Sequence, residues 1–121
     1  MRILVTGSRY WTDQVLLRNT LAEVTKNTPP AERVILVHGD AWRGADFMAG
    51  EYARDRGWKE EPHPAEWNNG RAAGMMRNKE MVDLGADVCV AFFRMDVANK
   101  GTTNCSNLAK KAGIPVLRVE G

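Results

Sequence analysis

Three short stretches carry most of the chain's capacity for chemistry. Gly7-Ser8-Arg9 follows the apolar run Ile3-Leu4-Val5. His38-Gly39-Asp40-Ala41-Trp42-Arg43-Gly44-Ala45-Asp46 follows Val34-Ile35-Leu36-Val37. Lys100-Gly101-Thr102-Thr103 follows Val88–Phe93 and a polar loop from Arg94. Each combination suits an anion. A guanidinium pairs with phosphate through a rigid fork of donors, and a hydroxyl adds one more donor. A helix that starts on a glycine turn aims free N–H groups and the positive end of its dipole at the ligand. The residues therefore imply a phosphate-bearing ligand. Gly7, Ser8, Gly101, Thr102 and Thr103 would hold phosphate, with Gly39 and Gly44 bounding the middle loop. Arg9, Arg43 and Arg77 would neutralise charge, and Asp40 or Asp46 would take ribose hydroxyls or orient an arginine. Taken singly, Gly101-Thr102 reads equally well as a plain helix cap.

Arg77 shares a helical face with Ala73, Met81 and Leu84, the face that should meet a sheet. An arginine there must meet an anion or lie along a cleft, because burying it unpaired is costly. An ion pair with Asp46 or Asp87 is the structural alternative. Asn78 beside it suits a loop carbonyl or a ribose hydroxyl. Trp11, Trp42 and Trp67 each fall in a loop after a strand, and Phe93 ends one. Such an aromatic wall suits a base or nicotinamide ring, although loop packing is the expectation for two of the three tryptophans. His38 and His63 with Asp40 match no metal-ligand spacing, and His38 reads as a hydrogen-bonded structural residue. No metal is expected, and no GxSxG, P-loop or GxGxxG pattern is present.

The elements that must position these residues alternate. The opening strand ends at Gly7, and a helix runs from Asp13, its N-cap, to about Lys26, with Leu17, Leu21 and Val24 inward. A strand over Val34–Val37 is followed by a helix from Ala45 to about Arg56, which stops at Gly57. Lys59–Pro62 reads as a polar edge strand, and a helix spans about Arg71 to Leu84. Val88–Phe93 is a strand. A helix over Thr102–Ala112 turns Cys105, Leu108, Ala109 and Ala112 inward, and Pro115–Val119 is the last strand. This β-α alternation implies an α/β fold, a single Rossmann-like three-layer sandwich with a five-stranded parallel sheet, in the order 3-2-1-4-5 by analogy with doubly wound sheets. Ligands bind such sheets beyond the carboxyl ends of the strands where the order reverses, here between the first and fourth strands.

Composition narrows the remaining choices. The chain has 121 residues, 44% of them hydrophobic, which suits one ordinary globular domain. No run approaches a membrane span of about 18 apolar residues. The start Met-Arg-Ile-Leu-Val lacks the long apolar stretch of a signal peptide, so a cytoplasmic location is expected. Cys89 and Cys105 sit in apolar patterns and read as reduced core residues. A net charge of +2 does not by itself announce nucleic acid.

The combined motifs Val5-Thr6-Gly7-Ser8-Arg9, His38–Asp46, His63-Pro64-Ala65-Glu66-Trp67, Arg77-Asn78-Lys79-Glu80-Met81, Gly85-Ala86-Asp87 and Lys100-Gly101-Thr102-Thr103 resemble the small YspA/YpsA-related branch of the SLOG superfamily, carried by phages and bacteria. The resemblance runs from end to end. It implies a Rossmann-like fold that binds nucleotides or nucleotide-derived ligands such as ADP-ribose or NAD, needs no other cofactor, and mildly favours a homo-oligomer. Met75 and Met76 mark one candidate dimer surface. Relatives of the superfamily include LOG phosphoribohydrolases and DprA-type DNA-binding proteins. LOG enzymes follow a Gly-Gly-x-Gly-Thr turn with acidic residues that help cleave an N-glycosidic bond. Here Asn99-Lys100 replaces the first glycines, and Asn104-Cys105 follows Gly101-Thr102-Thr103 in place of the acid. Asp40, Asp46 and Glu66 are the remaining candidates for such a carboxylate. The expectation is therefore a nucleotide-ligand binding or sensing domain. The alternative is a phosphoribohydrolase-like N-glycosidase. A third reading, single-stranded nucleic-acid binding, fits the modest charge least and predicts strong salt dependence.

Overall fold

The computed structural model describes residues 1–121, the side chain of Arg71 excepted. Its elements in chain order are β1 (Arg2–Gly7), α1 (Gln14–Thr25), β2 (Ile35–His38), α2 (Ala45–Asp55), β3 (Lys59–Pro62), a 3-10 stretch (Trp67–Ala72), α3 (Ala73–Asp83), β4 (Val88–Phe93), α4 (Lys100–Lys111) and β5 (Val116–Glu120). The strands form one parallel sheet in the order β3-β2-β1-β4-β5. The register aligns Leu4 with Val37 on one side and with Cys89 on the other, so the inner strands end nearly level.

The apolar strands alternate between two cores. Ile3 and Val5 of β1, Leu36 of β2, and Val90 and Phe92 of β4 face α1 and α2, where they meet Leu17, Leu21, Ala49 and Tyr52. Leu4, Val37 and Cys89 face the other way, against Met81 and Val82 of α3 and Cys105 and Ala109 of α4. A run that is apolar at every position is thus explained by burial on both faces. The result is the expected three-layer α/β sandwich of Rossmann-like topology.

The helix limits have local causes. Asp13 caps α1, its carboxylate accepting the Leu16 N–H at 2.9 Å. Gly57 and Gly113, at φ of 72° and 81°, follow α2 and α4 in the left-handed conformation that ends helices. Some details differ from expectation; α4, for one, begins at Lys100 rather than Thr102. The third helix is preceded by the 3-10 stretch and a kink at Gly70, so it begins at Ala73 rather than near Arg71. Leu84 and Ala112 are exposed, because each lies at its helix's terminal turn, past the end of the face that meets the sheet. Cys89 and Cys105 are free, buried thiols; burial pushes them up to about 12 and about 11. Among the described residues no helix is long and apolar enough to cross a membrane.

Candidate functional site

The chain leaves β1 toward the α1–α2 face and leaves β4 toward the α4 face, which opens a crevice between two adjacent strand ends. The β1 side is a tight, self-bonded turn. Ser8 N–H donates to Phe92 O at 3.0 Å, Ser8 O accepts the N–H groups of Trp11 and Ala45 at 3.1 Å, and Ser8 Oγ accepts Tyr10 N–H at 3.0 Å. The Ser8 amide is therefore used by the sheet and does not serve as the phosphate donor expected of it. The Ser8 hydroxyl retains its proton for donation. Gly7 does not take a left-handed φ. It is needed for closeness instead: a Cβ there would stand 2.5 Å from Ala45 Cβ and 2.9 Å from Phe92 Cβ. Gly44, at φ 79°, packs against the backbone of Ser8 and Arg9, so it joins two loops and does not line the crevice.

The opposite wall is the start of α4. Asn99 occupies the N-cap position but turns its carboxamide back into its own loop. Its Oδ1 accepts Arg94 N–H at 3.1 Å, and its Nδ2 donates to Arg94 O at 2.8 Å and Val97 O at 3.0 Å. No side chain caps α4. The N–H groups of Lys100, Gly101 and Thr102 precede the first helical hydrogen bond, Thr103 N–H to Asn99 O at 2.9 Å, and these residues line the crevice. Thr103 is exposed on the helix surface outside it. Arg94 straps the two loops together, its Nη1 donating to Tyr10 O at 2.7 Å while Asp96 pairs with its Nε.

Arg77 enters from α3. Its Nη1 donates to Gly39 O at 2.5 Å and His63 O at 3.3 Å, and its Nε donates to Asn78 Oδ1 at 2.9 Å. No carboxylate lies within ion-pair distance of it among the described residues, so the anticipated pair with Asp46 or Asp87 does not form; Asp87 accepts the Arg2 N–H at 2.7 Å instead. The guanidinium is positioned by neutral carbonyl oxygens. A Gly39 side chain would stand 2.5 Å from Nη1, which explains the glycine. Asn78 is buried and donates to Gly101 O at 3.2 Å and Asn104 Oδ1 at 3.0 Å, locking α3 to the first turn of α4.

The crevice measures about 290 Å³. It brings together Gly7, Ser8, Arg9, Gly39, Asp46, Arg77, Asn78, Gly101 and Thr102. It also gathers Tyr10 and Asn99, which flank the expected turns, and Lys100, which opens the second of them. Arg9, Arg77 and Lys100 face a single carboxyl, Asp46. That group is buried, accepts the Ala41 N–H at 3.3 Å, and is pushed above the usual carboxylate range by burial, with its neighbours His38 and Arg77 and backbone N–H groups opposing. The crevice is therefore electropositive.

Several selected residues lie elsewhere. Arg43 is sandwiched between the rings of Tyr10 and Trp42, 4.7 Å from each centroid, outside the crevice, because the aromatic pair offers its delocalised cation a better seat. Asp40 and Trp42 line a neighbouring hollow with Trp67. Glu66 is exposed and precedes the 3-10 stretch without capping it. His38 is structural as expected, its Nδ1 accepting Asp40 N–H at 2.9 Å and its Nε2 meeting Glu60 Oε2 at 2.6 Å. Of the three loop tryptophans only Trp11 packs inside, tilted against Phe92 at 5.2 Å; Trp42 and Trp67 stay exposed, the reverse of the expected proportion.

Residues 1–70 match the profile of the YspA, cpYpsA-related SLOG family. Over 122 aligned residues the chain is also 43% identical to the gene 61 protein of Mycobacterium phage D29, covering 96% of this chain and 94% of the phage protein. The profile reaches from β1 through the loop of Asp40 to Asp46, and the phage protein extends the likeness across α3 and α4.

Proposed function

The chain belongs to the YspA, cpYpsA-related SLOG family, and from that premise and the crevice geometry we propose that it binds a nucleotide or nucleotide-derived ligand, of the ADP-ribose, NAD or nucleoside-monophosphate type, as a sensing or binding domain. The observation that carries this reading is the uncapped first turn of α4, which opens into an electropositive crevice at the reversal point of the sheet. Phosphate would sit on the amides of Lys100, Gly101 and Thr102, with the Ser8 and Thr102 hydroxyls and the Arg9, Lys100 and Arg77 cations around it. Asn78 ties α3 to the first turn of α4, and Asp46 is held by the Ala41 N–H of the loop that precedes it. Calorimetric titration with ADP-ribose, NAD, AMP and cyclic nucleotides tests the reading. Binding tighter than about millimolar, roughly 4 kcal/mol, is expected for at least one of them, and none doing so refutes it.

A second reading, hydrolysis of an N-glycosidic bond, draws on one observation. Asp46 is a carboxyl in the crevice wall whose burial favours its protonated form, the property of a general acid. Release of free base from AMP, lost in Asp46→Asn, would support it, and no release would leave the binding reading alone.

A further inference from the structure

The phosphate crevice is continuous with a second hollow of about 310 Å³; both are lined by Arg9, Gly39, Ala41 and Arg77. The distinguishing residues of the second hollow are aromatic. Trp42 and Trp67 are 74% and 62% exposed, among the largest apolar surfaces the fold leaves in water, and both line this one space. Scattered exposed apolar residues need no explanation, but two indoles on a shared concavity do. Trp42 is also held in place. One face of Trp42 is covered by the Arg43 guanidinium, itself backed by Tyr10. Trp67 lies beside α3, at ordinary van der Waals distance, 3.6 Å, from where a Cβ on Gly74 would stand. At the lip, Asp40 sits at φ 60°, a conformation that L side chains rarely adopt, and its carboxylate is exposed. An ionised carboxylate only accepts hydrogen bonds, so it suits an exocyclic amine or a sugar hydroxyl.

We propose that the Trp42–Trp67 hollow is the base subsite, which makes the ligand a nucleoside phosphate rather than a bare sugar phosphate. The proposal rests on the phosphate reading above. With phosphate on the first turn of α4, the sugar passes Arg77 and the ring lies against indole, an interaction that tolerates any base because every base has a π-face. Arg77 marks the border, its Nη1 and Nε occupied by protein acceptors.

Calorimetry with AMP, ribose 5-phosphate and inorganic phosphate, on the native chain and on Trp42→Ala and Trp67→Ala, tests this. Both tryptophans are exposed, so both variants fold. AMP is expected to bind about tenfold tighter than ribose 5-phosphate. Each substitution should remove most of that margin and leave ribose 5-phosphate affinity unchanged. Equal affinities for AMP and ribose 5-phosphate in the native chain, or a margin that survives both substitutions, overturns the base subsite while the phosphate site stands. Failure of all three compounds to bind also overturns this proposal, and the phosphate reading falls with it when ADP-ribose, NAD and the cyclic nucleotides fail as well.

Discussion

Replacing Gly101 by alanine separates what the first turn of α4 does for the fold from what it does for a ligand. Gly101 is helical, does not take a positive φ, and has no protein atom within 4 Å of the position a Cβ would take. The added methyl group meets no neighbour, and alanine gives up less backbone entropy on folding than glycine. In a helix interior the exchange stabilises by about 1 kcal/mol; in a first turn about 0.5–1 kcal/mol is the fair expectation. For a chain of 121 residues that raises the melting temperature by roughly 2–4 °C. The same methyl group thickens the wall where phosphate would approach the backbone amides, and AMP affinity should fall about tenfold, roughly 1.4 kcal/mol. Thermal unfolding followed by circular dichroism reads the first effect and calorimetry the second. A lowered melting temperature refutes the assignment of Gly101 to open helical backbone. A raised melting temperature with AMP affinity unchanged refutes the claim that this turn seats the phosphate.

Gly7→Ala should behave oppositely, losing about 1–3 kcal/mol in chemical denaturation, because its methyl group meets the Cβ atoms of Ala45 and Phe92, which cannot swing away. Asp40→Gly should be neutral to about 1 kcal/mol stabilising and Asp40→Val about 1–2 kcal/mol destabilising, since only the first relieves a φ of 60°; equal effects would contradict the backbone geometry. Glu61 is held down to about 2 by hydrogen bonds from Arg2 and His63, so its contribution is present above the ordinary Glu value and is lost as pH falls from about 4.5 toward about 2. The pair is partly open to water and screened, so Glu61→Gln should cost about 1–2 kcal/mol at pH 7 and nothing near pH 2. Asp46 has the opposite sign: its folded value is raised, so stability is lost as pH rises from the ordinary Asp value through the folded one. Urea denaturation across that window should show Asp46→Asn gaining on the native chain with rising pH, and a constant gap would refute an elevated Asp46.

The legible part of the site was the part written in contiguous residues. Gly7-Ser8-Arg9 lies at the end of one inner strand and Lys100-Gly101-Thr102 opens the helix after the other, and a parallel sheet brings the connections leaving adjacent strand ends together. Arg77 could be placed because a charged residue on a buried helical stripe is conspicuous. Roles within a turn were less legible. Ser8 N–H follows Phe92 O because β1 and β4 stay paired to their ends, and Gly7 answers to the Cβ of a helix nearly forty residues away rather than to its own torsion angles.

By itself, then, the order of residues determined the strands, the helices and the layer count, since short continuous apolar runs and period-3.6 burial are local properties of a chain. It also supplied the excess of cation around the crevice. Only the tertiary structure decided which groups share a space. It withdrew Arg43 into an aromatic sandwich, drew Asp46 into the wall, placed Trp42 with Trp67 in a second hollow, and left Glu66 in solvent. Those outcomes depend on distances between loops far apart in sequence, and such distances are set by how the layers pack.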